Sequence, residues 1–122
     1  MQVVIVEPEK KPRVQSIEDS LASMQEIVGG TIQAVYPFDE PVALICNDEG
    51  KLLNLPLNRA LRDSDGRVYD IVAETFFLCG ATASSDRFDS LTEEQTQTCL
   101  KRFAVPEQFI PVGDAVFILP AP

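Results

Sequence analysis

VALICNDEGKLLNL, residues 42–55, decides how the rest of the chain is read. Val42 to Cys46 is an unbroken apolar run, the mark of a strand covered on both faces. Asn47, Asp48, Glu49 and Gly50 are turn formers, and Lys51 to Leu55 is apolar enough to return as a partner strand. This predicts a β-hairpin with a four-residue loop. A hairpin at the centre points to antiparallel pairing, and so away from alternating strand–helix–strand units.

Outward from that hairpin, Val3–Val6 is a compact β-branched run ended by Glu7 and Pro8, and reads as a buried first strand. Val14–Ile17 reads as a short second one. Ile17, Leu21, Met24 and Val28 then fall on one helical face, with Ser16 as N-cap and Gly29-Gly30 ending the helix in the left-handed region. Thr31–Tyr36 reads as a strand and Pro37–Pro41 as a loop. Beyond the hairpin, Pro56–Leu61 is read as one helical turn with Pro56 at its start. Asp63–Gly66 is a second turn, Tyr69–Cys79 contains the longest strand, and Ala81–Asp89 is a small polar loop. Thr92 with Gln95 is a full capping box for a second helix, with Glu93 and Glu94 in its first turn and Pro106 beyond its end. Ala115–Leu119 is a last strand.

The expected fold is α+β: a single domain, residues 1–122, with a mostly antiparallel sheet of about five to six strands and two helices packed on one face. The length suits one domain, and 45% hydrophobic residues suffice for one core. There are 19 acidic residues against 10 basic, a formal net charge of -9. Such a surface repels nucleic acid and anionic membranes, so neither is expected as a partner. The apolar run near the N-terminus is too short for a signal peptide or a membrane span. Cys46, Cys79 and Cys99 lie in apolar or helical runs without metal-like spacing and read as reduced core thiols, which makes the cytoplasm the expected compartment.

The chain contains no histidine, which excludes Ser-His and Cys-His mechanisms. Paired acids occur in predicted turns: Asp39 with Glu40, Asp48 with Glu49, Asp63 with Asp65. A metal-dependent hydrolase would need such groups at fixed separation, and solvated loop acids are the plainer reading. Asp63-Ser64-Asp65-Gly66 loosely echoes a calcium loop with Glu74 at its twelfth position, but the glycine stands fourth instead of sixth. No phosphate loop and no other cofactor motif is present, so no cofactor is expected. The segment Asn47–Arg67 departs from the acidic pattern, with Lys51, Arg59, Arg62 and Arg67 together with Asn47, Asn54 and Asn58. Arginine forks and asparagine amides read planar polar ligands, carboxylates and phosphates. Asn47, Lys51, Asn58 and Arg59 are therefore the expected ligand-binding residues. The structural alternative is that Asn47 caps the turn and Arg59 pairs with an acid.

The run LASMQEIVGGTIQAVYPFDEPVALICNDEGKLLNLPLNRAL, residues 21–61, and the later DIVAETFFLCG resemble the domain-of-unknown-function 3846 family. The helix ending in VGG, the ICNDEGKL hairpin and the PLNRAL turn carry the likeness. Where a typical member has a glycine before its long strand, this chain has Ala73-Glu74. The family brings no assigned activity. It implies a small accessory protein of bacterial phages or mobile elements, with counter-defence or host takeover as its role. The expected function is thus a non-catalytic binder of a small polar, nucleotide-like ligand, assembled as a homo-oligomer in the bacterial cytoplasm. The alternative is an acidic inhibitor of a host protein, or a nucleic-acid mimic.

Overall fold

The structure, a computed structural model, describes residues 1–50, 52–82 and 87–121. Among these residues, nine strands and two helices run in the order β1 (Gln2–Val6), β2 (Arg13–Ser16), α1 (Leu21–Val28), β3 (Ile32–Val35), β4 (Val42–Asn47), β5 (Leu57–Arg62), β6 (Val68–Ala73), β7 (Phe76–Gly80), α2 (Glu93–Arg102), β8 (Glu107–Val112) and β9 (Ala115–Pro120). Five strands form one antiparallel sheet in the order β2-β1-β7-β4-β3, and β5-β6 and β8-β9 are separate hairpins. The fold is α+β with a mostly antiparallel sheet, the class expected from the hairpin-rich sequence.

Alternation across the three central strands builds two cores. Val4, Leu78 and Leu44 lie in register on one face, with Val6, Val42, Cys46 and Phe76. Ile5, Phe77 and Ile45 lie in register on the other, with Val3, Ala43 and Cys79. These runs are apolar without a break because both faces are covered. Met24 and Val28 of α1 cover the second face. Cys99 of α2, with Phe103, Leu61 and Val72, covers the first. The helices therefore lie on opposite faces of the sheet, and the expectation of both on one face is corrected. Each helix carries a single apolar stripe, and a sheet that is apolar on both sides needs a separate cover for each.

Other local expectations are also corrected. Helix α1 starts at Leu21, with Ser20 as N-cap accepting from the Ser23 N–H; Ser16 belongs to β2 instead. Lys51 lies outside the described residues, and the segment after it does not return as a strand. β4 is already paired on both edges, by β3 and β7, so no ladder is left for it. The chain coils into a turn instead: Leu53 N–H donates to Glu49 O, Leu55 N–H to Gly50 O, and Asn54 is left-handed at φ 54. Leu57–Arg62 is a strand and not a helical turn. One isolated turn is a costly nucleus, whereas the Asp63–Gly66 turn lets the segment pair with β6. The long strand of the sequence reading is two strands, broken at Glu74, whose φ is 61. That conformation is one that glycine adopts most readily. β8 went unread because Pro106 and Pro111 interrupt its pattern; it forms an edge hairpin around Gly113 (φ 60).

Candidate functional site

The four residues expected to bind ligand are not brought together. Asn47 ends β4 on the α1 side. Its amide donates to Val28 O (3.1 Å), and its Oδ1 accepts from the Glu49 N–H (2.8 Å). It thus ties the C-terminus of α1 to the following turn. Gly30 makes room for it, since a Cβ there would stand 2.9 Å from Asn47 Nδ2. Lys51 is outside the described residues. Asn58 and Arg59 lie on the opposite side of the sheet, toward α2, and are fully buried.

Arg59 fills its site. Nε and Nη2 donate to Phe103 O (3.3 and 3.2 Å), Nη2 also to Lys10 O (2.6 Å), and Nη1 to Asn58 O and Oδ1 (3.1 and 2.8 Å). Asn58 passes the network on, donating to Val6 O and Glu74 O (both 2.8 Å). Burial holds the Arg59 pKa below its ordinary value, and the charge of the Glu107 carboxylate only partly opposes this. The salt bridge considered for Arg59 is replaced by backbone carbonyls. This pair joins β1, β5, the β6–β7 break and the end of α2, and leaves no fork free for a ligand.

An open cleft of about 620 Å³ lies instead between the 37–40 loop, the β5–β6 hairpin and the C-terminus of α2. Its chemistry comes from Phe38, Glu40, Arg62, Asp63, Tyr69 and Arg102. Arg102 sits in the last turn of α2, where the helix dipole favours a cation. Its guanidinium carbon stands 4.1 Å from the centre of the Phe38 ring, a cation–π distance. Its Nη1 donates to Glu40 Oε1 at 2.7 Å. That hydrogen bond is the main cause holding the Glu40 carboxyl below its ordinary value; burial opposes it, and a backbone hydrogen bond and the Arg102 charge add to it. Phe38 in turn meets Phe103 edge to face at 6.3 Å, and Phe103 meets Phe76 at 5.2 Å, so the loop rests on the core. Arg62 pairs with Glu107 at 2.8 Å. Tyr69 is an exposed residue, at 55% of its full accessibility.

Arg62 belonged to the basic segment singled out in the sequence. Arg102, Phe38 and Tyr69 were not legible as site residues, because only the packing of α2 against the 37–40 loop gathers them. The paired acids find other uses. Asp63 Oδ1 accepts from the N–H groups of Asp65 and Arg67, closing its turn. Glu74 Oε1 accepts from the N–H and hydroxyl of Thr75. Asp63 and Glu74 flank β6 at opposite ends, roughly 20 Å apart along a six-residue strand, so they cannot share a calcium ion. Among the described residues, no three His, Cys, Asp or Glu side chains are grouped to hold a metal. Nor is any helix among them long and apolar enough to cross a membrane.

Fold and cleft together define a small antiparallel α+β protein with an arginine- and aromatic-lined groove and a buried arginine keystone. The chain belongs to the domain-of-unknown-function 3846 family, whose model matches residues 1–104. No curated protein and no solved structure matches it. The matched region ends before β8, so the β8–β9 hairpin lies beyond it.

Proposed function

We propose that the protein is a non-catalytic binder that holds a small polar, nucleotide-like ligand in the cleft between the 37–40 loop, β5–β6 and α2. The observation that carries this reading is the juxtaposition of two guanidinium groups, Arg62 and Arg102, with the exposed residue Tyr69 on a chain of net charge -9. An exposed ring offers a stacking surface for a planar base, and arginine forks suit phosphate. The ligand would compete with Glu40 and Glu107 for these arginines, so binding is expected to weaken with salt. The proposed setting is the cytoplasm of a bacterial host, with the protein serving a phage or mobile element in counter-defence by sequestering a signalling molecule. The alternative, an acidic inhibitor of a host protein or a nucleic-acid mimic, would need the acidic loop residues gathered on one face.

A thermal-shift screen with a broad nucleotide panel tests this. The expected result is a raised melting temperature for one ligand class, reduced by Tyr69→Ala and by Arg62→Ala. A panel that leaves the wild-type protein unmoved overturns the reading.

A further inference from the structure

We infer that the β8–β9 hairpin is the interface of a homodimer, in which the outer apolar faces of two copies pack against each other. The register places Ile110 directly opposite Phe117, Gln108 opposite Leu119, and Val112 opposite Ala115. Directly paired residues share a face. Ile110, Val112, Phe117 and Leu119 therefore form one continuous apolar surface, and they are 42, 54, 56 and 47% exposed. The other face, with Glu107, Phe109 and Ile118, is the more buried one. Glu107 anchors it to β5 by accepting from the Ala60 N–H (3.0 Å) and pairing with Arg62.

The charge pattern favours a second copy as the occupant. Two chains of net charge -9 repel wherever their acidic surfaces meet. The outer face of the hairpin carries no charged side chain: Asp114 lies in the turn, and Glu107 points to the other face. A two-fold contact sets the same patch against itself, which uncharged side chains tolerate and an acidic patch does not. A basic partner would be drawn to the acids elsewhere and would gain nothing from this face. The four apolar residues expose on the order of 400 Å², about half of the roughly 800 Å² each partner contributes to a standard interface. Gln108, Ala115 and the ribbon backbone surround them on the same face and extend the contact area.

Sedimentation velocity over a range of concentrations tests this. The expected result is a species of twice the 13.4 kDa chain mass, tightened by added salt, which screens the mutual repulsion. The double variant Ile110→Glu/Phe117→Glu is expected to weaken self-association by about tenfold or more, because it buries like charges against each other. Both residues are exposed, so the melting curve of the variant, taken at a concentration where the wild type is monomeric, is expected to match the wild type. Val112→Glu, nearer the hairpin tip, makes the same test should the double variant fail to fold. A wild-type chain that stays monomeric at every concentration overturns the inference, as does a dimer that survives these charges unchanged.

Discussion

Arg59→Met separates a structural arginine from a ligand-reading one. Methionine fills much of the same volume but donates nothing, so the variant leaves the partners of the guanidinium in place. Phe103 O, which accepts two of its hydrogen bonds, and Asn58 O and Oδ1 lie in buried contacts. Lys10 O is only partly buried and water can take over there. Each buried acceptor left without a donor costs about 1–3 kcal/mol. Removing a charge that burial disfavours offsets part of this, leaving a loss of about 2–4 kcal/mol. For a domain of this size that is a fall in melting temperature of about 10 °C. Thermal unfolding followed by circular dichroism reads it, and urea titration should show a lower midpoint at an unchanged slope. Arg59→Lys is expected to fall between, since one ammonium cannot span carbonyls on three segments. A methionine variant melting within about 2 °C of wild type would refute the keystone role and return Arg59 to the list of ligand contacts.

Two further outcomes follow from the packing. Gly80→Ala would place a Cβ 2.8 Å from Ser90 O and 3.2 Å from Asp89 O, at the bridge where Gly80 and Asp89 exchange hydrogen bonds. Backbone must shift to admit it, and a loss of about 1–3 kcal/mol in chemical denaturation is expected. Burial pushes the Cys79 thiol from its ordinary 9.0 up to about 12, with nearby Asp89 and Asp19 adding to the effect, and pushes Cys99 up to about 11. The folded state thus favours the protonated thiols: their contribution is fully present below about pH 9 and is lost as pH rises through the folded values. Both thiols should resist a thiol reagent at pH 8 until denaturant is added; rapid labelling of the native protein would contradict their burial.

Much of the fold was legible because its signals are local. The capping box of Thr92 and Gln95 forms as read, with both reciprocal hydrogen bonds present. Gly29 closes α1 at φ 79. The apolar runs of β1, β4 and β7 proved to be strands covered on both faces. Two of the misreadings share one cause, which is that the decisive partner is distant in sequence. Leu57–Arg62 carries no strand pattern of its own, and pairing with β6 makes it one. Lys51–Leu55 looked like a returning strand only while β4 had a free edge.

The binding residues show the same division. Asparagine and arginine side chains have the same donors and acceptors whether they face water or the core, so residue type alone could not separate the two uses of Asn58 and Arg59. Arg59 is satisfied by carbonyls of Lys10 and Phe103, 49 and 44 positions away in the chain, and Asn58 by those of Val6 and Glu74, 52 and 16 positions away. The cleft residues Phe38, Tyr69 and Arg102 come from three separate segments, and packing alone makes them neighbours. By itself the sequence determined the class of fold, the Thr92 capping box, the Gly29 helix end, the Asp63–Gly66 turn, the histidine-free chemistry and the acidic character, all carried by adjacent residues or by composition. Tertiary structure alone decided which helix covers which face, which polar groups are interior, and which arginines line an open cleft, because each depends on contacts that close long loops.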